Sequence, residues 1–580
     1  MLAVALWVGP VSAQSFTVDV PADDGTPLAT DVYLPLLGSS WPVVLVRTPY
    51  GKGGVRELCL ALNLAGYACV AQDTRGRFDS GGEDTVFRDD GSDGRATLRW
   101  LAAQDWCDGK VGTWGGSALG ITQYLMAPGA PGVLRCMVPV VATPDLYHHT
   151  MFQGGALRES LVVNWLEGQG SLGFLDQALA HRLFSPWWDP VVVLDRSDRV
   201  EVPALHMGGW YDIFGQGTLD AFEAWEAAGG DGARGRQYLV MGPWTHGGFG
   251  GRQAGELTYP SNAGLDLVGL MLDWYDRWLK DDGEALDGWP RVLVYLMGAV
   301  GEEGVPGNQW VGLDAWPPPH QVVPFHLAAD GGLSRAPAAP GGVVVLADPE
   351  HPVPTLGGAN LFPGLEVEGR PMGAGPYDQR PVEARDDVAV FSTAPLTRPL
   401  AVAGRVTVRV WIQADCPDVD VAVRLSDVYP DGRSMLVLDG IARARFRCGD
   451  DRECFLTPGA AAELQVDLWS TAIVFAPGHR IRISVSGSNA PRFEVNTNDG
   501  GDPADGGPGQ VARLAILTGP EHPSALMLPV VPLPGTPLRP GARVLPSVPA
   551  GLRGAPAPPL PSPARPPHPA RPAPPGAWSR

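Results

Sequence analysis

In the run Val111-Gly-Thr-Trp-Gly-Gly-Ser117-Ala-Leu-Gly120, an apolar, strand-prone segment gives way within a few small residues to an apolar helical one. A strand that turns straight into a helix forces its turn residue into strained backbone, and Gly115, Gly116 and Ala118 are small enough to allow the bend. The bend would present the Ser117 hydroxyl at the carboxyl end of the strand, as a candidate nucleophile. The spacing departs from Gly-x-Ser-x-Gly, because Leu119 stands where the last glycine belongs and Gly120 comes one residue late. Read alone, the run also suits an ordinary strand-to-helix loop. Its meaning depends on partners elsewhere in the chain.

Around this turn, short apolar strands alternate with helices. Upstream lie Pro42-Val-Val-Leu-Val46, a helix-period segment over 55–64, the strand Ala68-Cys-Val-Ala71 and a helix over 94–103. Downstream come a helix after Ser117 and the strand Cys136-Met-Val-Pro-Val140. Such alternation predicts a largely parallel sheet covered on both faces. Ahead of it, Thr17-Val-Asp-Val20 and Leu28-Ala-Thr-Asp-Val-Tyr-Leu34 alternate apolar and polar about Asp23-Asp-Gly-Thr26, which predicts an antiparallel pair.

The rhythm stops between 144 and 202, where an irregular, aromatic-rich segment with helices over 159–167 and 175–184 predicts an inserted cap. It resumes with Ala204-Leu-His-Met207, a helix from 219, the strand Gln237-Tyr-Leu-Val-Met241 and an amphipathic helix over 265–279. The first domain thus spans 14–310. From 311 to 545 the texture is all-β, with runs such as Val406-Thr-Val-Arg-Val-Trp-Ile412 and Arg480-Ile-Arg-Ile-Ser-Val485, and predicts a β-sandwich of the jelly-roll kind. Residues 546–580 are mostly Pro, Ala and Arg and predict a disordered tail.

Composition narrows the function. With 43 basic and 63 acidic residues the chain carries a net charge of −20, which disfavours nucleic acid and anionic membranes as partners. No later stretch is long and apolar enough to span a membrane. The start, Leu2-Ala-Val-Ala-Leu-Trp-Val8 with Val11-Ser-Ala13, has the apolar core and small-residue end of a secretory signal without its positive leader. A truncated signal over 1–13 would make the protein periplasmic or extracellular; a fortuitous apolar start would leave it cytoplasmic. The seven cysteines lack metal-ligand spacing, so no metal is expected, and the expectation is of no cofactor at all. Cys448 and Cys454 flank Gly449-Asp-Asp-Arg-Glu453 and form either a small disulfide loop or two free thiols.

A serine hydroxyl needs a base, and the base needs an orienting carboxylate. In hydrolases on this kind of sheet the chain order is Ser, then Asp or Glu, then His, each at a strand's carboxyl end. Gly208-Gly-Trp-Tyr-Asp212 and Gly242-Pro-Trp-Thr-His246 both end strands in that order. Asp220 and Asp189 compete with Asp212, but neither ends a strand; His206 falls inside one and suits a core. The oxyanion would be met by the Ala118 N–H and by a donor from the loop Arg47-Thr-Pro-Tyr50, where Tyr50 either donates its hydroxyl or merely packs.

Together with Asp73-Thr-Arg-Gly-Arg77 and Ser80-Gly-Gly82, these motifs resemble the cocaine esterase and X-Pro dipeptidyl-peptidase superfamily of serine hydrolases over nearly the whole chain. The late Gly120 fits that family's shifted turn. The resemblance implies an α/β-hydrolase domain with an inserted helical cap, followed by a C-terminal all-β jelly-roll domain. It also implies Ser117 as nucleophile, Asp212 as orienting acid, His246 as base, and Tyr50 with the Ala118 N–H as oxyanion hole. Phe78 stands where many relatives have glycine; Asp73, Arg75 and Arg77 are expected to hold loops together.

The substrate class rests on the cap. Trp165, Phe152 and His149, with His148, suggest an apolar, aromatic acyl pocket, whereas the carboxylates Glu159, Glu167, Asp176 and Asp189 form no cluster to receive an ammonium group. The expected substrate is therefore a small ester or amide. An X-Pro dipeptide or α-amino-acid ester is the alternative, and a non-catalytic binding protein on the same scaffold a remote one.

Overall fold

The structure, a computed structural model, describes residues 14–507 and 509–533; the signal-like start and the Pro/Ala-rich tail lie outside the described residues. Ten strands form the larger sheet: β1 (Gln14–Pro21), β2 (Pro27–Leu34), β3 (Trp41–Thr48), β4 (Ala68–Asp73), β5 (Cys107–Gly116), β6 (Leu134–Val140), β7 (Leu205–Tyr211), β8 (Tyr238–Thr245), β9 (Val292–Leu296) and β10 (Gln309–Leu313). Their order is β1-β2-β4-β3-β5-β6-β7-β8-β9-β10. The strands from β4 to β9 pair in parallel, and the hairpin β1–β2 and the edge strand β10 join antiparallel. Val43 to Val46, Ala68 to Ala71 and Met137 to Val138 are almost wholly buried, as two covered faces require.

The helices α1 (Arg56–Leu64), α2 (Asp90–Ala102), α3 (Ala118–Met126), α6 (Gly215–Ala228) and α7 (Leu267–Leu279) pack on this sheet, and α4 (Glu159–Gln169) and α5 (Gly173–Leu179) pack on each other between β6 and β7. In the irregular stretch between β6 and β7, α5 stops at Leu179, short of the expected Phe184. The backbone turns away there because the Arg182 carbonyl accepts the Tyr147 hydroxyl at 2.7 Å, while its guanidinium reaches Glu494 of the C-terminal part. Among the described residues no helix is long and apolar enough to cross a membrane.

The large sheet extends slightly past the expected end of the first domain at 310, since β10 pairs with β9 through Leu313. Alternation marks a strand but not the sheet it joins, so that boundary was not readable to the residue. Beyond it, a seven-stranded and a four-stranded antiparallel sheet face a shared apolar core that includes Val402, Val408, Val423 and Ile483. Trp210, Tyr211 and Val294 of the first sheet belong to the same core, so the two parts of the chain are packed together by apolar contact.

Two disulfides occur among the described residues. Cys448 and Cys454 are joined, and so are Cys59 of α1 and Cys69 of β4. The sequence reading singles out only Cys448 and Cys454 as a possible pair; the packing of α1 on β4 brings Cys59 and Cys69 together as well.

Candidate active site

Ser117 follows β5, Asp212 follows β7 and His246 follows β8, so all three side chains emerge at the carboxyl ends of parallel strands. The imidazole Nδ1 of His246 lies 2.5 Å from Asp212 Oδ1, and its Nε2 lies 3.0 Å from Ser117 Oγ. With the Nδ1 proton held on the carboxylate, Nε2 is left to accept the serine proton. Asp212 is 1% and His246 3% exposed, so water scarcely competes for these bonds. The second carboxylate oxygen of Asp212 accepts the Phe214 N–H at 3.1 Å, which fixes the plane of the carboxylate.

The turn at Ser117 has φ 58° and ψ −126°, a conformation that L-residues avoid. It persists because its surroundings leave no alternative. Ser117 N–H donates to the Val140 carbonyl at 2.9 Å, and α3 is pressed onto β6 so closely that a Cβ on Gly120 would meet the Ala142 Cβ at 2.5 Å. That contact explains why the late glycine sits one residue past the usual place. Ala118 opens α3, so its N–H has no carbonyl of its own helix to bond and is free for a ligand oxygen.

Tyr50 reaches the site from the loop after β3. Its hydroxyl accepts the Trp165 indole N–H at 2.9 Å and is turned toward the Ser117 side chain. Burial pushes the phenol above its usual range, so it stays protonated and able to donate.

Ser117 and Ala118 open onto a pocket that, with the solvent space at its mouth included, encloses about 610 Å³. Its walls come from Val86 and Phe87 in the loop before α2, Ile121 of α3, Leu161, Trp165 and Trp188 of the segment between β6 and β7, Ile213 and Phe214 after β7, and Leu361 from the C-terminal part. None of the residues lining it is charged.

The sequence profile of X-Pro dipeptidyl-peptidase (S15 family) matches residues 24–178 and 166–248, and that of the X-Pro dipeptidyl-peptidase C-terminal non-catalytic domain matches residues 285–527. Cocaine esterase from Rhodococcus sp. (strain MB1 Bresler) is 34% identical over 589 residues, covering 89% of this chain and 98% of the esterase. The chain belongs to this family. It is a serine hydrolase acting on esters or peptides.

Solved structures carry the likeness through the whole fold. An aminopeptidase from the marine sediment archaeon Thaumarchaeota archaeon superposes with a TM-score of 0.77 at 25% identity, covering 90% of this chain and 97% of that one. An α-amino acid ester hydrolase superposes with a TM-score of 0.76 at 25% identity, covering 91% of this chain and 100% of that one.

Among the S15 and cocaine esterase serine hydrolases this chain keeps the expected residues together around Ser117, with two exceptions. Trp165 lines the cavity, but Phe152 and His149 do not. Phe152 is buried against Tyr147 and Trp188, with the Arg182 guanidinium over its ring. His149 bonds Thr143 at 2.9 Å and Asp220 at 3.1 Å, on the far side of the wide turn Tyr147–Met151, whose residues Thr150 and Met151 face the cavity. A turn of that kind has no period readable from sequence, so which residues face inward was open. The bond to His149 also accounts for Asp220, the competitor of Asp212.

The loop residues act as expected. Arg75 bridges Asp24 and Asp93 at 2.7 Å each, Arg77 pairs with Asp84 at 3.3 Å, and Asp73 accepts the Lys52 N–H at 2.6 Å. Phe78 has φ 48°, the left-handed backbone that glycine adopts freely, so the chain follows a glycine-like path there. Val86, Phe87 and Leu361 went unrecognised as lining residues. Val86 and Phe87 have φ of 49° and 69°, a conformation that no sequence pattern announces in a non-glycine pair.

Proposed function

We propose that this protein hydrolyses esters, and amides, of small apolar acyl groups, with Ser117 as nucleophile, His246 as base and Asp212 as orienting acid. His246 Nε2 takes the Ser117 proton as Oγ attacks the acyl carbon, and negative charge gathers on the former carbonyl oxygen. The Tyr50 hydroxyl and the Ala118 N–H donate to that oxygen. Collapse breaks the bond to the leaving group, which departs with the proton from His246. Water then attacks the acyl-serine by the same relay, releasing the acid and restoring Ser117. Asp212 holds the Nδ1 proton and balances the imidazolium in both steps.

The observation that carries the acyl class is the uncharged lining of the cavity at Ser117. Burying an aromatic or branched acyl group there gains about 2–3 kcal/mol. An unpaired ammonium would cost several kcal/mol in the same place. Glu159, Glu167, Asp176 and Asp189 are not among the lining residues; in the polar pocket behind Val86 and Phe87, Asp84 and Asp90 are engaged by Arg77 and Arg47, and Asp89 accepts the Thr85 hydroxyl at 2.9 Å with Arg75 at 3.9 Å. The alternative, an X-Pro dipeptidyl-peptidase or α-amino-acid ester hydrolase, is favoured by the likeness to the two solved relatives. It lacks the ammonium partner such substrates require.

In this reading the segment 144–202 is a helical cap, and the C-terminal sheets are a jelly roll that closes the site through Leu361. The two disulfides support export to an oxidising compartment. The test compares p-nitrophenyl butyrate with Ala-Pro-p-nitroanilide for the wild type and Ser117→Ala. The ester is expected to be the better substrate and the variant inactive on both. Undiminished activity of the variant would remove Ser117 from the mechanism, and a preference for the anilide would establish the peptidase instead.

A further inference from the structure

The small loop closed by Cys448 and Cys454 does more than decorate the C-terminal part, because it touches the segment that walls the cavity. The Asp450 carboxylate, inside that loop, lies 2.6 Å from His148 Nε2, and the Asp450 carbonyl accepts the Phe184 N–H at 2.8 Å. On its other side the His148 ring reaches Asp145 Oδ2 at 2.7 Å, while the Asp145 Oδ1 accepts the His148 backbone N–H at 2.9 Å. His148 is thus gripped by one carboxylate from each part of the chain. Its pKa is pushed up to about 10: burial opposes the charge, but Asp145 and Asp450 outweigh it, so the grip is ionic.

What the grip holds is the turn Tyr147–Met151. Leu146, Thr150 and Met151 on either side of His148 line the cavity, and Tyr147 packs at 5.2 Å on Trp188, which lines it too. The loop is tied at its base by the Gly449 N–H on the Phe446 carbonyl at 3.1 Å and the Cys454 N–H on the Arg445 carbonyl at 2.6 Å. Glu453 pairs with Arg445 at 3.1 Å and Arg452 donates to the Cys448 carbonyl at 3.0 Å; the disulfide adds a covalent closure that holds Asp450 toward His148.

We propose that His148 and Asp450 are positioning residues for the acyl cavity, and that the Cys448–Cys454 disulfide, by holding Asp450 in place, sets which acyl groups the enzyme accepts. The proposal rests on the cavity being the acyl site. Cys448 is exposed, whereas Cys59 and Cys69 are fully buried, so a mild reductant such as a phosphine meets the small loop first. The phosphine takes the oxygen of one water to become its oxide, the water's two hydrogens end on the sulfurs as the S–S bond breaks, and the acyl range would then respond to redox conditions.

The experiment uses the full chain in four forms: wild type, Cys448→Ser/Cys454→Ser, Asp450→Asn, and Leu161→Trp as a direct perturbation of the cavity wall. Two readouts are taken, hydrogen exchange across residues 146–152 and kcat/KM on p-nitrophenyl acetate and p-nitrophenyl benzoate. The double serine variant and Asp450→Asn are expected to exchange faster over that segment and to lose about tenfold on the benzoate, while the acetate changes less than about twofold. Phosphine-treated wild type should match the double serine variant. Unchanged exchange in both variants would overturn the latch. Faster exchange with an unchanged benzoate-to-acetate ratio, where Leu161→Trp shifts that ratio, would overturn its link to specificity. An unchanged ratio in Leu161→Trp as well would overturn the acyl-site reading, and the proposal with it.

Discussion

The Trp165 indole N–H donates to the Tyr50 hydroxyl across 2.9 Å, joining a residue of the cavity wall to the proposed oxyanion donor. A phenol has one proton to give, and an occupied lone pair decides where that proton points. With Trp165 on one side, the Tyr50 proton is left for the region of Ser117. Trp165→Phe should therefore lower kcat by about tenfold, the worth of one buried hydrogen bond, and Tyr50→Phe by about a hundredfold or more. In the Tyr50→Phe background the Trp165 substitution should add little, because the group it orients is gone. A double-mutant cycle on kcat checks this, and additive effects would refute it.

The carboxylate bound to His246 should be the one that matters. Asp212→Asn is expected to cut kcat by about 10⁴ while largely preserving stability, since the amide keeps the shape but reverses the preferred tautomer. Asp220→Asn should lower kcat far less, because its partner is His149 at 3.1 Å. Steady-state kinetics on one ester suffice, and equal losses would exchange the two assignments.

Gly120 offers a stability test that is independent of substrate. A methyl group there would meet the Ala142 Cβ at 2.5 Å and the Gly115 carbonyl at 3.0 Å, forcing α3 off β6. Gly120→Ala should cost about 1–3 kcal/mol, and Ala142→Gly in the same chain should restore part of it. Urea midpoints measure both, and a neutral Gly120→Ala would mean that the turn is not sterically pinned.

Acid should loosen the contact between the two parts of the chain. Burial raises the Glu494 carboxyl, but Arg443 and Arg182 outweigh it and hold its pKa at about 2. Because the folded value lies below the unfolded value of 4.5, the stabilisation is fully present above that pH and is lost as pH falls toward 2. It amounts to at most about 3 kcal/mol. The stability difference between wild type and Glu494→Gln should therefore shrink on acidification below pH 4.5, as followed by denaturant titration. A constant difference would exclude this linkage.

Much of the site was legible because it obeys local rules. Ser117, Asp212 and His246 each follow a short apolar strand, and chain order on such a sheet leaves few alternatives. The parallel core, the irregular segment before β7 and the largely β C-terminal part, which also holds a short helix at Arg380–Glu383, follow from hydrophobic periodicity, which a strand or helix carries in its own residues. Tyr50 needed the resemblance to a known family, since a loop tyrosine has no periodicity to interpret.

The tertiary structure alone decided the rest, because those relations join residues with no shared period. The inward faces of the turn Tyr147–Met151, the left-handed pair Val86 and Phe87, and the arrival of Leu361 at the cavity depend on packing between distant segments. The disulfide between Cys59 and Cys69 and the grip of Asp450 on His148 are of the same kind. Sequence by itself determined which residues could do the chemistry, since that depends on residue type and chain order. The shape of the cavity they serve depends on side-chain contacts, which exist only once the chain has closed on itself.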